Sequence, residues 1–450
     1  MARLFGTDGV RGVVNEFLTP ELAYHLGRAA ATHFSKIKER PTFLIGRDTR
    51  ISGSMLESSL ASGICSVGGD VVFAGVVPTP AVAYLVRQQG YDAGVVISAS
   101  HNPFPDNGIK FFDGNGFKLP DAVEDEIEQY VHASANNELP RPTGAGVGII
   151  EYNSNLAHFY AHFVRHTIDI SLEGLTIVYD GANGAASSVG PEILAGLGAK
   201  VININVAPNG VNINAHCGST HLEGLRVAVL QHNADFGIAN DGDADRCLLI
   251  DNEGNTLDGD QIMLLCALKL KKEGKLKDDM IVGTVMSNIG FHKAAQELGM
   301  KTYSANVGDR YVLEHMKGHD YSIGGEQSGH VIFLDYNTTG DGMLTAVQIA
   351  ALVKEKQQPL SELAKVMVKY PQVLVNVRVV TKTGWEDSDI IQAAIVTAEG
   401  ELGDSGRVLV RASGTEPLIR VMAEGPDEDE LQAVCQEIAD IIGREQGLAE

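Results

Sequence analysis

The stretch Gly94-Val95-Val96-Ile97-Ser98-Ala99-Ser100-His101-Asn102-Pro103 joins an apolar run to a polar one. Its first four residues form a short apolar run that ends at turn-forming residues, which predicts a buried strand. The Ser, His, Asn and Pro that follow predict a loop. The pattern therefore places the Ser100 hydroxyl at the end of a buried strand, where it is held firmly and can still meet a ligand.

Strands alternate with amphipathic helices around this stretch and in two further parts of the chain, which predicts three layered α/β domains. A Pro- and Gly-rich stretch at 140–148 predicts a linker after the first domain. Beyond residue 371, valines alternate with mostly polar residues, which predicts a half-exposed strand in a smaller antiparallel α+β domain. The expected domains span residues 1–148, 149–253, 254–369 and 370–450.

The length, apolar content and net charge of the chain limit the kinds of molecule that it can bind. A chain of 450 residues is too long for one ordinary core, and its 44% apolar content is enough for globular folding. The net charge of −23 disfavours nucleic acid as a partner, because phosphate backbones require clustered Lys and Arg. A small phosphorylated substrate is not excluded, since it needs only a local basic pocket.

The sequence also predicts where the protein works. No apolar run reaches membrane-spanning length, and the N-terminus lacks the apolar region of a signal peptide. The five cysteines form no CxxC pair and lie mostly in apolar segments, which predicts buried free thiols in a reducing compartment. We therefore expect a cytoplasmic protein with no membrane partner.

Three carboxylates alternate on one loop, at Asp241, Asp243 and Asp245. So close together they repel one another unless a cation holds them, and oxygen ligands select Mg²⁺ or Ca²⁺. An EF-hand is disfavoured because Arg246 and Asn252 stand where that loop needs Gly and Glu. A solvated acidic turn is the structural alternative. A Mg²⁺ that shares a phosphate oxygen is favoured, because Mg²⁺ takes few protein ligands.

Two interpretations of Ser100 stand side by side. The structural interpretation is a serine that caps its own loop, and the other is a serine with a chemical role. It lacks the Gly-x-Ser-x-Gly elbow of a hydrolase, and a Ser-His-Asp triad cannot be inferred from sequence order. The chemical alternative is that Ser100 carries a phosphoryl group. A phosphoserine beside metal-held carboxylates makes chemical sense, because the metal neutralises charge and leaves phosphorus open to attack.

Other polar loops carry groups suited to a sugar phosphate. The loop at 411–415, with Arg420, offers guanidinium groups, hydroxyls and backbone N–H groups for a phosphate. Glu326, Ser328 and His330 could bind sugar hydroxyls, with His330 free for proton transfer. For each of these loops taken alone, a structural polar turn is an equal alternative.

A further glycine pair, Gly181 and Gly184, follows a predicted strand at 176–180. If the pair opens a helix, it could cradle a phosphate at the helix N-terminus. A structural turn is favoured, because the third glycine of the dinucleotide-binding pattern is missing.

Together these loops resemble the four signature loops of the α-D-phosphohexomutase family. The motifs stand in the family's order, as Ser98-Ala-Ser-His-Asn-Pro103, Asp241-Gly-Asp-Ala-Asp-Arg246, Gly325-Glu-Gln-Ser-Gly-His330 and Arg411-Ala-Ser-Gly-Thr-Glu-Pro417. The match covers essentially the whole chain. The resemblance implies three similar α/β domains with mixed sheets and a smaller antiparallel α+β C-terminal domain, arranged around a central cleft.

Two details point to the members of this family that act on a hexosamine phosphate. The opening Phe5-Gly-Thr-Asp-Gly-Val-Arg-Gly12 is typical of them, and so is Gln327, where members for glucose and mannose phosphates commonly carry Met. The resemblance implies conversion of glucosamine 6-phosphate to glucosamine 1-phosphate for bacterial cell-wall precursors. The alternatives are a mutase for glucose or mannose phosphates and a non-catalytic sugar-phosphate sensor. The sensor is disfavoured because the serine and every aspartate of the motifs are present.

The resemblance also implies roles for individual residues. Phospho-Ser100 is expected to give its phosphoryl group to the sugar and to recover it from a 1,6-bisphosphate. Mg²⁺ is expected to be held by a phosphoserine oxygen and the three aspartates of the acidic loop. Arg11 and Lys110 are expected to supply positive charge, and Lys110, His101 and His330 are the candidates for proton transfer.

The remaining expectations concern the substrate. Glu326 and Ser328 are expected to bind sugar hydroxyls. The phosphate that does not react is expected to be gripped by Arg411, Ser413, Gly414, Thr415 and Arg420. The expected partner is a small hexosamine phosphate, and a homodimer is compatible with the resemblance although the sequence does not give the oligomeric state.

Overall fold

The computed structural model describes residues 3–6, 8–413 and 417–447. The chain divides into two compact units. The first unit comprises the residues up to Met286 together with Tyr303–Lys365, and the second comprises Ser287–Thr302 together with the chain from Val366 onward. Each unit is described by itself below.

The first α/β domain is built on a six-stranded mixed sheet. Its strands are β1 (Val10–Val13), β2 (Thr42–Arg47), β3 (Asp70–Val76), β4 (Ala93–Ile97), β5 (Asp106–Asp113) and β6 (Ile150–Tyr152), in the spatial order β1-β5-β4-β2-β3-β6. Strands β2, β3, β4 and β6 are parallel, whereas β5 runs antiparallel to both of its neighbours. Its helices are α1 (Pro20–Phe34), α2 (Gly53–Ser66), α3 (Thr79–Gln89) and α4 (Asp121–Ala135).

The second α/β domain has a five-stranded mixed sheet. Its strands are β7 (Thr176–Asp180), β8 (Lys200–Ile204), β9 (Phe236–Asn240), β10 (Cys247–Asp251) and β11 (Thr256–Leu257), in the order β11-β10-β9-β7-β8. The helices are α5 (Leu156–Arg165), α6 (Val189–Gly196) and α7 (Glu223–His232). The antiparallel pair β9 and β10 matters for function, because the acidic loop joins these two strands.

The third stretch of the chain repeats the plan with a four-stranded mixed sheet. Its strands are β12 (Met280–Thr284), β13 (Lys301–Ala305), β14 (Ile323–Gly325) and β15 (Val331–Phe333), in the order β13-β12-β14-β15. Its helices are α8 (Gly259–Lys272), α10 (Asp309–His319), α11 (Gly342–Lys356) and α12 (Leu360–Ala364), whereas α9 (Ile289–Glu297) belongs to the second compact unit. The loop between β14 and β15, residues 326–330, is the predicted sugar loop.

The C-terminal domain is smaller and antiparallel. Strands β16 (Gln372–Arg378), β17 (Arg407–Ala412) and β18 (Leu418–Glu424) form a sheet in the order β16-β18-β17, accompanied by helices α13 (Asp389–Leu402) and α14 (Glu428–Gln446). Both helices contribute to one apolar core with the sheet. The expected fold class, three α/β domains with mixed sheets and an antiparallel α+β domain, is confirmed. The domain boundaries and the central cleft stay predictions.

Two of the expectations about environment can also be compared with the structure. All five cysteines are free and buried, as expected. Among the described residues, none of the helices combines the length and the apolar character that crossing a bilayer requires.

Helices α1 and α2 pack so closely that their backbones touch at two glycines. A Cβ atom at Gly63 would lie 2.1 Å from the Tyr24 carbonyl oxygen, and one at Gly27 would lie 2.2 Å from the Leu60 carbonyl oxygen. Such distances are far below a van der Waals contact, so only glycine permits this approach.

The substitution Gly63→Ala should therefore destabilise the first domain. Forcing a methyl group between the two helices is expected to lower the free energy of unfolding by about 1–3 kcal/mol. The measurement is urea denaturation followed by circular dichroism. Gly318→Ala in α10 is the matched control, because a Cβ there meets no atom within 4 Å. Alanine at this control position should be neutral or stabilising, and an equal loss in both variants would contradict the close helix contact.

Candidate active site

Ser100 follows β4, an interior strand whose five residues are all buried. Its backbone is left-handed, with φ of +50°, a conformation that residues with a Cβ rarely adopt. Its amide donates to the Ser98 hydroxyl at 3.0 Å, and that hydroxyl donates to Asp48 Oδ2 at 2.5 Å. Ser100 is only 2% exposed, so the loop presents its hydroxyl inside the protein.

The acidic loop brings its three carboxylates to this hydroxyl. Asp241, Asp243 and Asp245 are buried, and one ligand oxygen from each lies within 4.8 Å of the others. The Ser100 hydroxyl donates to Asp241 Oδ2 at 2.5 Å. Ser100 and the triad, from two different domains, therefore form one site.

Hydrogen bonds alone do not balance the charge of the triad. Burial, together with the negative charges of Asp245 and Asp243, raises the pKa of Asp241 well above its usual range. Asp243 Oδ1 and Asp245 Oδ1 are buried and have no hydrogen-bond partner in the part of the chain that the structure describes. Clustered carboxylate oxygens of this kind are the ligands of hard cations, so the donor set fits a divalent metal ion.

The glycine-containing turn after β7 packs against the acidic loop. A Cβ at Gly184 would lie 2.3 Å from the Gly242 carbonyl oxygen, which leaves no room for a ligand there. Helix α6 begins only at Val189, so Gly181 and Gly184 do not open a helix. This geometry supports the structural turn, not the phosphate cradle.

Positive charge reaches the triad from two paired strands of the first sheet. Lys110, on β5, is 2% exposed, and its Nζ lies 3.1 Å from Asp243 Oδ2 and 3.2 Å from Asp8 Oδ2. Burial opposes the charge of Lys110, but these two carboxylates outweigh burial and raise its pKa. Arg11, on β1, forms an ion pair with Asp8. Of the two predicted cations, Lys110 thus contacts the triad directly, and Arg11 pairs with Asp8, a carboxylate that Lys110 also contacts.

Two predicted histidines border the triad in opposite electrostatic settings. His330 lies between two carboxylates, with Nδ1 3.5 Å from Asp245 Oδ2 and Nε2 3.5 Å from Asp309 Oδ2. Burial opposes its charge, but the carboxylates outweigh burial and raise its pKa to about 9. Burial, followed by the charge of Arg246, lowers the pKa of His101 to about 4.

One hydrogen bond of His330 favours the neutral ring instead of the charged one. The Gly340 amide donates to its Nε2 at 3.0 Å, which requires that this nitrogen carry no proton. The two carboxylates favour the imidazolium, whereas the amide favours the neutral ring. The charged ring therefore satisfies the two carboxylates, and the neutral ring satisfies the Gly340 amide, so each protonation state has a favourable neighbour.

The sugar loop, which ends at His330, carries two further predicted polar side chains. Glu326 Oε1 accepts a hydrogen bond from the Gly308 amide at 3.0 Å. The Ser328 hydroxyl is buried, and within the described residues it has no hydrogen-bond partner. A buried hydroxyl normally has a partner, so Ser328 is suited to a polar ligand.

The other predicted phosphate-binding residues belong to the second compact unit. Arg411 and Arg420 lie directly opposite each other on β17 and β18, so their side chains share one face of the sheet. Burial, followed by the charge of Arg420, lowers the pKa of Arg411. Ser413 follows β17 and is buried. Gly414 and Thr415 lie outside the described residues.

Several residues that the sequence reasoning left out complete the site. The Thr79 hydroxyl donates to Asp243 Oδ2 at 2.7 Å, and the Thr79 amide donates to the Asp243 carbonyl oxygen at 2.9 Å. Lys118 Nζ donates to Asp8 Oδ1 at 2.8 Å and to Asp309 Oδ2 at 2.6 Å. The position of Asp8 inside the opening motif could have indicated a role in the site. No local sequence pattern connects Lys118 with Asp309.

The sequence matches four successive domains of one family. They are the α/β/α domains I, II and III and the C-terminal domain of phosphoglucomutase/phosphomannomutase, matched at residues 2–138, 152–254, 258–370 and 374–441. The chain belongs to the phosphoglucomutase/phosphomannomutase family. The resemblance to the α-D-phosphohexomutases is confirmed.

Family members of high identity cover the chain almost from end to end. A phosphoglucosamine mutase from Brevibacillus brevis is 53% identical over 445 residues, which are 98% of this chain and 99% of the relative. A phosphoglucosamine mutase from Symbiobacterium thermophilum is 55% identical over 449 residues, which are 99% of this chain and 100% of the relative. The enzyme class is that of an isomerase working as an intramolecular phosphotransferase.

Solved structures share the fold at much lower identity. A phosphoglucomutase/phosphomannomutase family protein from Burkholderia thailandensis is 22% identical, with a TM-score of 0.83 over 99% of this chain and 98% of its own. An N-acetylphosphoglucosamine mutase from Aspergillus fumigatus, in complex with GlcNAc-6P and magnesium, is 18% identical, with a TM-score of 0.69 over 98% and 95%. These likenesses concern the fold.

The substitution Lys118→Met should destabilise the protein, because it removes the cation that Asp8 and Asp309 share. Taking away a cation that two partly buried carboxylates share is expected to lower the free energy of unfolding by about 2 kcal/mol, measured by urea denaturation. Lys38→Met is the matched control, because Lys38 pairs with Asp92 and its side chain is 52% exposed. An exposed pair contributes about 0–1 kcal/mol, so similar losses in both variants would contradict a stabilising role for this partly buried network.

Proposed function

We propose that the protein is a phosphoglucosamine mutase, which interconverts glucosamine 6-phosphate and glucosamine 1-phosphate. The observation that carries the proposal is the hydrogen bond from the Ser100 hydroxyl to a buried triad of carboxylates. A hydroxyl in this setting is suited to carry a phosphoryl group whose charge a cation offsets. The identity of 53–55% with phosphoglucosamine mutases supports glucosamine phosphate as the substrate.

Ser100 is the phosphoryl carrier. In the first half-reaction, O1 of glucosamine 6-phosphate attacks the phosphorus of phospho-Ser100. The P–O1 bond forms, the bond from phosphorus to Ser100 Oγ breaks, the O1 proton passes to a base, and Ser100 Oγ takes up a proton. The 1,6-bisphosphate then turns round in the site. In the second half-reaction Ser100 Oγ gives its proton to a base and attacks the phosphorus at position 6. The P–O6 bond breaks, O6 takes up a proton, and glucosamine 1-phosphate is released.

The acidic loop would hold Mg²⁺ through Asp241, Asp243 and Asp245, together with an oxygen of phospho-Ser100. When bound, the ion supplies positive charge that offsets the phosphoryl oxygens and leaves phosphorus open to attack. Thr79 and Lys110 both bind Oδ2 of Asp243, so its buried Oδ1 is left for the ion. The magnesium complex of the Aspergillus fumigatus relative supports the choice of Mg²⁺.

The remaining groups handle charge and protons. Lys110 and Arg11 place positive charge beside the phosphoryl group as it moves. The proton transfers belong to the set Lys110, His101 and His330, all of which border the triad. Glu326 is proposed to bind sugar hydroxyls, as is the hydroxyl of Ser328, for which the described part of the chain offers no hydrogen-bond partner.

The second compact unit would grip the phosphate that does not react. Arg411 and Arg420 stand side by side on one sheet face, and two neighbouring guanidinium groups attract a dianion. Ser413, with Gly414 and Thr415 of the same loop, is proposed to complete this grip. One clamp serves both half-reactions, because either end of the bisphosphate can fill it.

We also propose that the protein works in the cytoplasm. Its product, glucosamine 1-phosphate, would be used for the synthesis of UDP-N-acetylglucosamine and cell-wall precursors. Five buried free thiols support a reducing compartment.

The direct test is an assay of the purified protein on glucosamine 6-phosphate, with mass spectrometry of Ser100. We expect mutase activity and one phosphate on Ser100, and we expect Ser100→Ala to lower kcat by at least about 1000-fold because the carrier oxygen is gone. Ser62→Ala on the exposed face of α2 is the matched control and should keep full activity. Full activity in Ser100→Ala would refute the mechanism, and a preference for glucose 6-phosphate would favour a glucose phosphate mutase.

The substitution Asp243→Asn tests the metal assignment. Replacing one anionic ligand by a neutral amide should raise the Mg²⁺ concentration for half-maximal activity by about 10-fold or more. Asp251→Asn is the matched control, because Asp251 is buried in the same domain but holds only a turn after β10. If the Mg²⁺ titration of Asp243→Asn matches that of the wild-type protein, the triad is a structural acidic turn.

A further inference from the structure

The carbonyl oxygen of Ser100 is held from two domains at once. It accepts a hydrogen bond from Arg50 Nη2 at 2.9 Å and another from Asn214 Nδ2 at 2.8 Å. Arg50 precedes α2 in the first domain, whereas Asn214 lies between β8 and β9 in the second. Neither residue touches the Ser100 hydroxyl, so any effect on chemistry must act through the backbone.

Arg50 uses all of its donors on this loop and its support. Its Nε donates to Asp48 Oδ2 at 2.8 Å, and Nη2 also donates to the Asn102 carbonyl oxygen at 2.9 Å. Its Nη1 donates to the carbonyl oxygens of Pro103 and Asp106. A guanidinium has five N–H donors in a fixed plane, and here each has an acceptor. A lysine ammonium, with three donors at one point, cannot reproduce this pattern.

Asp48 connects the same guanidinium to the amide side of Ser100. The Ser98 hydroxyl donates to Asp48 Oδ2, and the Ser100 amide donates to that hydroxyl. The backbone of Ser100 is therefore fixed on both sides, by its carbonyl through Arg50 and by its amide through Ser98.

Asn214 closes the loop from the opposite side. Its Nδ2 also donates to the Asn102 carbonyl oxygen at 3.2 Å, and two carbonyl acceptors fix the orientation of the amide because only its NH₂ group can donate. A Cβ at Gly242 would lie 2.5 Å from the Ser100 carbonyl oxygen and 2.8 Å from Asn214 Nδ2. The acidic loop therefore seals the space in which the carbonyl oxygen lies.

We propose that Arg50 and Asn214 are positioning residues for phosphoryl transfer. They clamp the Ser100 carbonyl and so hold the left-handed backbone that directs the Ser100 hydroxyl at the triad, an inference that rests on the proposed function. A residue with a Cβ leaves the left-handed region unless its surroundings hold it there. Without the clamp the loop relaxes and the oxygen that accepts and gives the phosphoryl group moves away from the acidic loop.

The experiment compares kcat and KM of Asn214→Ala and Arg50→Lys with the wild-type enzyme on glucosamine 6-phosphate. We expect kcat to fall about 10- to 100-fold while KM changes less than about twofold, because a misplaced reacting group costs rate and not substrate binding. The rate at which a hexosamine 1,6-bisphosphate phosphorylates Ser100 in a single turnover should fall by the same factor.

Arg28→Lys is the matched control. Arg28 is likewise fully buried in the first domain and donates to the carbonyl oxygens of Leu139 and Pro140, away from Ser100. It should lose stability without losing kcat. If Arg50→Lys loses no more kcat than Arg28→Lys, or if Asn214→Ala changes KM alone, the clamp is overturned. Asn214→Ala strands no buried charge, so it decides the question if Arg50→Lys does not fold.

Crystal structures of the wild-type protein and Asn214→Ala separate this inference from the proposed function. A loop at 98–103 that keeps Ser100 left-handed in Asn214→Ala would overturn the clamp whatever reaction the protein catalyses. A wild-type protein without mutase activity or phosphoserine would refute the proposed function instead, whereas a relaxed loop in the variant would still support the clamp.

Discussion

The mutual repulsion of three buried carboxylates is the constraint on which the site depends. One carboxylate oxygen from each of Asp241, Asp243 and Asp245 lies within 4.8 Å of the others, in buried surroundings where solvent screens charge poorly. Three groups pair with or donate to these carboxylates: Lys110 from a strand, His330 from a loop and the Thr79 hydroxyl from the start of a helix. Within the described residues, Oδ1 of Asp243 and Oδ1 of Asp245 still have no hydrogen-bond partner, so the donor set suits a hard divalent cation.

The same loops can assemble only because their backbones approach each other without side chains in between. Gly242 lies against the Ser100 carbonyl, Gly184 lies against Gly242, and Gly329 of the sugar loop lies against the Cys247 carbonyl at the start of β10. Each of these contacts joins elements that are far apart in the chain. The site therefore depends on glycine at these contact positions as much as on its charged and polar side chains.

The sequence was sufficient for the parts of this protein that depend on local patterns. The apolar run before Ser98 predicted β4, the alternation of strands and helices predicted the layered domains, and the spacing of the acidic loop predicted clustered carboxylates. Lys110 and His330 were predicted at this site, but Thr79 and Lys118 could not be, because they stand in stretches with no distinctive pattern. Their roles come from tertiary packing. The left-handed backbone of Ser100 was hidden for the same reason, since arginine and asparagine from remote segments hold it there.

The bond between Lys118 and Asp309 spans 191 positions, and this separation bears on how the protein is made. Synthesis proceeds from the N-terminus, and domains generally fold as they emerge. The first domain can complete its sheet core, but Lys118 has to wait for α10 before it meets Asp309. Until then its ammonium group shares only Asp8, so the nascent domain carries unbalanced positive charge at this edge. The third domain thus finishes the electrostatics of the first, and a ribosome-bound chain shorter than about 310 residues is expected to leave that edge incomplete.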